Sequence, residues 1–400
     1  MICSNQTKLK IAMDGRSLTA KVPRGWDRYI VELAKQLVAA DVDVTLLYRQ
    51  REPIRISYVQ QIGCSAVAVA DKSGMHWEQV ALPAWLKANQ IDVYHAPAER
   101  GVPLWSPCPV VLTMHSVTEK SYQRLLDQQR LPGQISDYLP CSEPWLRKLR
   151  NRAYYAAQIR AANHILTPSE FCRQEVVDLL RIPAGKVTST HLALPAAFLN
   201  EPKSDSQRSD LLQSLGIRRP YLLFVGGFEP HKNIAGLLDA YSLVRKVRPD
   251  IDLVLVGSKQ CPHTVRAAIQ NHGIADCVHT LVDVGDELLD IYDGAEAFTS
   301  LSWRETFCLP AIEALSRGKP VVLSQWGAGP EIAAEFGETV DPRNPNAAAD
   351  KIIRLLTSVA SSGQIAARIE YARHFSWKRT ARMTQEVYQR LATSRGQFRS

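Results

Sequence analysis

Ala297-Phe298-Thr299-Ser300-Leu301-Ser302-Trp303-Arg304-Glu305-Thr306-Phe307-Cys308-Leu309-Pro310-Ala311-Ile312-Glu313-Ala314-Leu315 runs on to Gly318-Lys319-Pro320-Val321-Val322-Leu323 and reads as strand, loop, helix and strand. The apolar run Ala297-Phe298-Thr299 suits a buried strand. Pro310 suits the first turn of a helix, where a missing N–H costs nothing. Gly318 ends that helix, Pro320 forbids its continuation, and Val321-Val322-Leu323 starts the next strand. The first backbone N–H groups, around Thr306 to Ile312, then have no partners inside the helix, and a helix start of that kind attracts phosphate. Glu305 lies just outside the helix and Glu313 about one turn inside, both expected at the same mouth. A carboxylate beside an anion site repels phosphate, so each is expected to serve something neutral. Sugar hydroxyls are the obvious candidates.

Working outward, 400 residues suggest two domains or three. No run approaches the roughly 18 apolar residues of a membrane span. Met1 to Lys8 lacks the basic-then-apolar plan of a signal peptide. The eight cysteines form no Cys-x-x-Cys pair and have no histidine at zinc spacing, so they read as reduced thiols in a cytoplasmic protein. A net charge of +8 suits an anionic partner. Nucleic acid is not indicated, because there is no zinc finger, aromatic sheet signature or long Lys/Arg block. Anionic lipid headgroups and phosphorylated substrates fit better.

The first half opens as strand, loop, helix, strand. Lys8 to Met13 is a strand ending at Asp14-Gly15-Arg16, Gly25 precedes a helical pattern from Trp26 to Ala40, and Val42 to Tyr48 is the next strand. This is the start of a doubly wound sheet, without the Gly-x-Gly-x-x-Gly of a dinucleotide site. Further strands are expected at 65–69, 92–96 and 109–115, with a helix from His76 to Asn89. His115 falls at a strand exit, the end at which ligands bind in such sheets. Residues 145–155 are basic and amphipathic: Trp145, Leu146, Leu149 and Ala153 share a face, surrounded by Arg147, Lys148, Arg150 and Arg152. That composition suits docking at a membrane surface, and equally a packed helix with a solvated basic side.

The polar stretch Asn200 to Arg219 reads as an interdomain linker. A second doubly wound unit starts with the strand Pro220 to Val225 and leaves it through Gly226-Gly227-Phe228-Glu229-Pro230-His231-Lys232. A glycine pair at a strand end lets the backbone approach a ligand. Lys232, just ahead of an apolar helix, can neutralise a diphosphate as a point charge. Two Asp-x-Asp pairs, Asp41-Val42-Asp43 and Asp250-Ile251-Asp252, lead into strands at the end away from the ligand side and read as turns, so no metal is expected.

Glu305, Glu313, the Gly-Lys-Pro-Val-Val tail and Gly327-x-Gly329-Pro330-Glu331 together resemble the E-x(7)-E signature of the family-4 retaining glycosyltransferases. Thr-Pro-Ser-Glu-Phe at 167–171, with Pro183-x-x-Lys186-Val187 after it, resembles the same family. The resemblance covers nearly the whole chain and is tightest in its C-terminal half. It departs where Ser116 follows His115 in place of the usual Asp, where Gly227 and His231 stand at common Arg positions, and over 121–155.

The resemblance implies an α/β fold of two doubly wound Rossmann-like domains facing across a cleft (GT-B). Residues 1–199 would form the acceptor domain, residues 200–379 the nucleotide-sugar domain, and part of 380–400 would pack back on the first. It implies donor contacts at Gly25, Gly227, Lys232, Thr306, Phe307, Cys308, Leu309 and Glu313, acceptor contacts near Asp14 and Arg16, and backbone around 281–284 at the base. His115 would orient groups near the reacting carbon, Glu305 would hold donor hydroxyls, and Glu313 the ribose. The activity implied is metal-independent transfer of a hexose, mannose favoured, with retention. The donor would be a GDP- or UDP-linked sugar, needing no other cofactor, and the acceptor a glycan or lipid-linked intermediate. The protein would be cytoplasmic, with peripheral contact at the inner face of the plasma membrane through 145–155. Two other readings stay open: another nucleotide-sugar enzyme on this fold, such as an epimerase or inverting transferase, and a non-catalytic nucleotide-sugar-binding subunit.

Overall fold

The computed structural model describes residues 8–19, 25–138, 145–257 and 260–396. Contacts divide the chain into two units. The first gathers Met1–Thr118, Cys141–Leu192 and Trp377–Ser400, and the second Glu119–Pro140 and Ala193–Ser376.

The first unit is built on β1 (Lys10–Asp14), β2 (Asp43–Arg49), β3 (Ser65–Val69), β4 (Val93–Ala96), β5 (Val110–Thr113), β6 (His164–Thr167) and β7 (Val187–Ser189). They pair in the order β3-β2-β1-β4-β5-β6-β7, all parallel. The second carries β8 (Tyr221–Val225), β9 (Asp252–Gly257), β10 (Val278–Val282), β11 (Ala297–Ser300), β12 (Val321–Ser324) and β13 (Gly337–Val340), in the order β10-β9-β8-β11-β12-β13, again all parallel. Helices cover both faces of a parallel sheet, so its strands are apolar throughout rather than alternating. Accordingly β4, β5, β6, β11 and β12 are buried at every position. Each sheet reverses direction once, between β1 and β4 and between β8 and β11, and at such a point the loops leaving the two strands diverge and open a crevice.

Three elements differ from the sequence expectation. The stretch read as a linker contains the helix Asp205–Ser214, with Ser204 Oγ accepting from the Gln207 N–H. No residue of that helix is buried, which is why its pattern carries no apolar period. The helix expected from His76 begins at Gly74 and makes one wide π turn, Trp77–Ala81, before Leu82–Ala88. Pro83 has no N–H for the carbonyl four residues back and its ring crowds that carbonyl, and the wider turn relieves both. Finally, the helix Thr118–Asp127 lies between strands of the first sheet in sequence, yet from Glu119 onward it packs with the second unit. Tyr122 stacks on Tyr138 with ring centroids 5.3 Å apart and joins an apolar cluster with Leu131, Trp303 and Trp326.

The C-terminal helix Trp377–Gly396 belongs to the first unit. Its attachment is partly polar. The Tyr388 hydroxyl lies 2.6 Å from His95 Nδ1, His95 Nε2 lies 2.7 Å from Thr113 Oγ1, and Thr113 Oγ1 lies 3.1 Å from the Tyr29 hydroxyl. His95 and Tyr388 are both fully buried. Burial, with His115 nearby, pushes the His95 pKa down to about 3. The ring therefore stays neutral, one nitrogen donating and the other accepting.

A histidine held neutral in the fold but free to charge in the unfolded chain costs stability in acid. The unfolded chain binds the extra proton from its ordinary pKa near 6.5 down to about 3, so stability falls as pH drops through that window. The loss from this one ring between pH 7 and pH 5 is about 2 kcal/mol. Denaturant titrations at the two pH values should therefore differ less in His95→Gln than in the parent, by about that amount. Equal pH dependence in the two proteins would show that His95 burial does not set it.

Candidate active site

The crevice at the β8/β11 reversal receives both loops that the sequence singled out. β8 runs into Gly226-Gly227 and then a 3-10 turn, Pro230–Lys232. Asn233 follows in the left-handed region, φ 52°, and opens the helix Ile234–Val247 by accepting the Gly236 N–H on its side chain. Its amide Nδ2 donates to the carbonyls of Leu301, at 3.0 Å, and Pro342, at 3.2 Å. The Trp303 N–H donates to the His231 carbonyl at 2.8 Å. The loop bearing Lys232 is thus fastened to the exit of β11.

On the β11 side, Glu305 is clamped by backbone. The Ala328 N–H donates to its carbonyl at 2.9 Å. A Cβ on Gly327 would lie 2.5 Å from that carbonyl oxygen and 2.7 Å from the Glu305 nitrogen, and Gly327 also has φ +78°. A Cβ on Gly329 would collide with the Ser324 carbonyl. Gly327 is therefore needed for close packing behind Glu305, and Gly329 for close packing on the end of β12. Cys308, buried and with φ 68°, caps the helix Leu309–Ser316, which carries Pro310 in its first turn as expected. Burial, then Glu305, pushes its thiol up to about 12, so it is not a thiolate. Thr306 and Leu309 are half-buried and Phe307 is buried.

Glu305 Oε1 accepts from Lys232 Nζ at 2.7 Å and from Ser302 Oγ at 2.8 Å. The two charged side chains are 18% and 19% exposed, so solvent screens them little. Burial opposes both charges, but each outweighs that for the other: the Lys232 pKa is raised and the Glu305 pKa lowered. Glu313 lies in a helix that is buried nearly all round, is itself 5% exposed, and accepts the Tyr292 hydroxyl on Oε2 at 2.8 Å. Gly227 is half-buried, and a Cβ there would strike the Glu229 carboxylate.

Residues that sequence reasoning missed complete the surroundings. Tyr122, from the segment that packs with this unit, has its ring centroid 6.5 Å from that of His231. The guanidinium of Arg304, 5% exposed, lies 5.9 Å from the Tyr122 ring. Burial pushes the Tyr122 pKa up to about 12, with Arg304, Glu305 and Lys232 all acting on it. No local pattern points to Tyr122, whereas Ser302 and Arg304 lie in the loop between β11 and the helix Leu309–Ser316, where their nearness to Glu305 in sequence is the available signal.

In the first unit, His115 leaves β5 with its ring edge against Tyr29, centroids 5.0 Å apart. Its Nε2 lies 3.0 Å from the Pro97 carbonyl. A carbonyl only accepts, so Nε2 carries the hydrogen and Nδ1 the lone pair. Burial lowers its pKa, which keeps the ring neutral. The neighbouring Ser116 donates to Glu99 Oε1 from its backbone N–H, at 2.8 Å, and from Oγ, at 2.9 Å. Asp14 and Glu78 both pair with Arg16, at 2.8 and 3.0 Å, and the Arg16 guanidinium lies 4.1 Å from the centroid of the Trp77 ring. Gly25 is the exposed first residue of the helix Gly25–Ala39; the loop before it, residues 20–24, lies outside the described residues. The Asp-x-Asp pairs lie at the amino ends of β2 and β9, and Asp252 is bound by His279 at 2.8 Å. Of the basic run, the side chains of 145–148 are outside the described residues. Leu149, Arg150 and Arg152 are exposed.

Comparison with known proteins bears on the family and the fold. The family model described as Glycosyltransferase Family 4 matches residues 23–193, and that described as Glycosyl transferases group 1 matches residues 208–374. The O-antigen chain mannosyltransferase B of Escherichia coli is 32% identical over 236 residues, which are 58% of this chain and 61% of that protein. The chain therefore matches less than two thirds of that relative's length. Among solved structures, a glycosyltransferase from Rickettsia africae superposes with a TM-score of 0.73 at 17% identity, over 96% of this chain and 99% of that one. Anabaena HepE in complex with UDP superposes with a TM-score of 0.69 at 17% identity, over 96% of this chain and 100% of that one. With two parallel doubly wound sheets, an ordered set of motifs and both halves matched by its models, the chain belongs to the family-4 glycosyltransferases of the GT-B fold.

Proposed function

We propose that this protein transfers a hexose, mannose favoured, from a GDP- or UDP-linked donor to a glycan or lipid-linked acceptor, with retention of configuration and without a metal. The observation that carries this reading is the Lys232–Glu305 pair, held at 2.7 Å beside the opening of the helix Leu309–Ser316. The mannosyl preference is supported by the name of the Escherichia coli relative, and a nucleoside diphosphate by the UDP bound to HepE.

In this reading, backbone N–H groups of residues 306–309 and the Lys232 ammonium meet the pyrophosphate, where negative charge grows as the sugar leaves. Glu305 takes a sugar hydroxyl, and its bond to Lys232 offsets the charge that would otherwise repel the phosphate. Glu313 serves the ribose after exchanging its Tyr292 bond. The C1–O bond to phosphate breaks while an acceptor oxygen bonds C1 from the same face. The acceptor proton passes to the departing phosphate. Neutral His115, with Nδ1 as acceptor, orients a hydroxyl and does not supply a proton.

The acceptor is proposed to reach the protein from a lipid surface. Tyr154 on the basic helix Trp145–Ala161 donates to Glu78 Oε2 at 2.8 Å and receives Gln79 Nε2 at 2.7 Å. Gln79 Oε1 accepts the Leu104 N–H at 2.8 Å. Exposed Leu149, Arg150 and Arg152 therefore belong to the same tied structure as exposed Val80, Leu104 and Trp105. Apolar side chains beside basic ones suit an anionic headgroup layer. Among the described residues no helix is long and apolar enough to cross a membrane.

Three measurements test this reading. In a thermal-shift panel of nucleoside diphosphates, one base should stand out, because a ligand at 100 times its Kd stabilises by roughly 2.7 kcal/mol; no response to any of them would remove the donor assignment. Glu305→Ala should lower turnover about a hundredfold through lost donor positioning, and parental turnover in that variant would refute its role. In co-sedimentation, vesicles containing phosphatidylglycerol should bind the protein and pure phosphatidylcholine should not. Reversing Arg150 and Arg152 to Glu should weaken that binding more than about tenfold, each lost charge being worth roughly 1 kcal/mol. Unchanged binding would exclude this surface.

A further inference from the structure

The second unit has another cavity, of about 650 Å³, at the edge of its sheet opposite to Lys232 and Glu305. Pro220, Glu296 and Pro320, which precede β8, β11 and β12, form its floor. The helix Asp205–Ser214 and the end of the helix Pro345–Thr357 contribute to its walls.

Its charges do not balance. Lys319 is half-buried, and among the described residues its ammonium has no hydrogen bond or ion pair. Burial lowers its pKa, while Glu296 and Asp293 act the other way from beyond ion-pair distance. Arg368, also half-buried, donates from Nη1 to the Gly318 carbonyl at 3.1 Å and has no carboxylate partner among the described residues; burial lowers its pKa too. Arg218 is exposed at the rim. Three carboxylates line the cavity, but Asp293 gives its oxygens to Arg317, at 2.5 and 2.8 Å, and Asp205 is paired with Arg208. Glu296 alone is left to face Lys319, Arg368 and Arg218. Cations taken out of water without a partner are costly, and an anion between them removes that cost. Arg368 and Lys319 line the same cavity, and Arg368 holds the carbonyl of the residue before Lys319. The remaining wall mixes polar side chains, among them Gln213 and Thr357, with apolar ones, of which Val359 is 98% exposed and Ile365 40% exposed.

We propose that this cavity binds a phosphorylated small molecule, with its phosphate against Lys319 and Arg368 and its organic part against Val359 and Ile365. This site is separate from the donor crevice. It lies at the amino ends of the strands, whereas the crevice lies at their carboxyl ends.

Thermal unfolding with inorganic phosphate and with phenyl phosphate, against sodium chloride of equal ionic strength, tests it. Both should raise the midpoint of the parent by roughly 2 °C or more near saturation, phenyl phosphate at the lower concentration. The rise should vanish in Lys319→Gln and in Arg368→Gln, and persist in Lys319→Arg and in Lys232→Gln. No rise in the parent, or a rise unchanged by both glutamine variants, overturns the proposal. So does a rise lost only in Lys232→Gln, which would assign the phosphate to the donor crevice. Should either glutamine variant fail to fold, broadening of the phenyl phosphate proton signals by the parent, relieved in Lys319→Ala but not in Lys232→Gln, decides in its place. Failure of the nucleotide panel leaves these arms intact, so the two readings fall separately.

Discussion

The Lys232–Glu305 ion pair is the contact around which the second unit's site is arranged. Two mostly buried charges are tolerable only at close range with further hydrogen bonds, and here Ser302 supplies one of them at 2.8 Å. Holding the pair at 2.7 Å requires that loops from two strands be locked together. Asn233 does this by bonding across to Leu301 and Pro342, and Gly327 by admitting the Glu305 backbone where no side chain fits. The sheet order explains why these loops and not others meet: β8 and β11 are neighbours 72 residues apart in sequence, with their crossovers running to opposite sides. In a right-handed doubly wound sheet that arrangement leaves a crevice at their carboxyl ends.

The first unit uses neutral groups for similar ends. His95 and His115 are both held uncharged by burial, one inside the hydrogen-bond chain from Tyr388 to Tyr29 and the other against the Pro97 carbonyl. Arg16, in contrast, stays charged between Asp14 and Glu78. Charge is kept in the interior where carboxylates can balance it and avoided where only hydroxyls and carbonyls are at hand.

Much of this was legible in the sequence because it is local. Pro310, Gly318 and Pro320 mark a helix and its end within a dozen residues, and apolar runs mark the central strands. Lys232 and Glu305 are each legible from a place just ahead of a helix, although their mutual bond spans 73 residues and has no sequence signal. The bond between Tyr292 and Glu313 was invisible for the same reason. The helix Asp205–Ser214 escaped because an exposed helix lacks an apolar stripe. The association of Tyr122 with Trp303 and Trp326 escaped because side-chain chemistry records that an aromatic residue will be buried, not against which unit.

The Tyr388–His95 contact has a consequence for how the protein comes into being. The first unit opens with β1, but its last helix is the final described element of the chain. During synthesis, domains fold as their residues leave the ribosome, amino-terminal end first. Here the sheet of the first unit emerges long before the helix that covers His95. The second unit, whose segments end at Ser376, is fully emerged before that helix is. The nascent protein therefore completes its halves in the reverse of the order in which they begin, and the imidazole waits for its tyrosine until the second unit has left the ribosome.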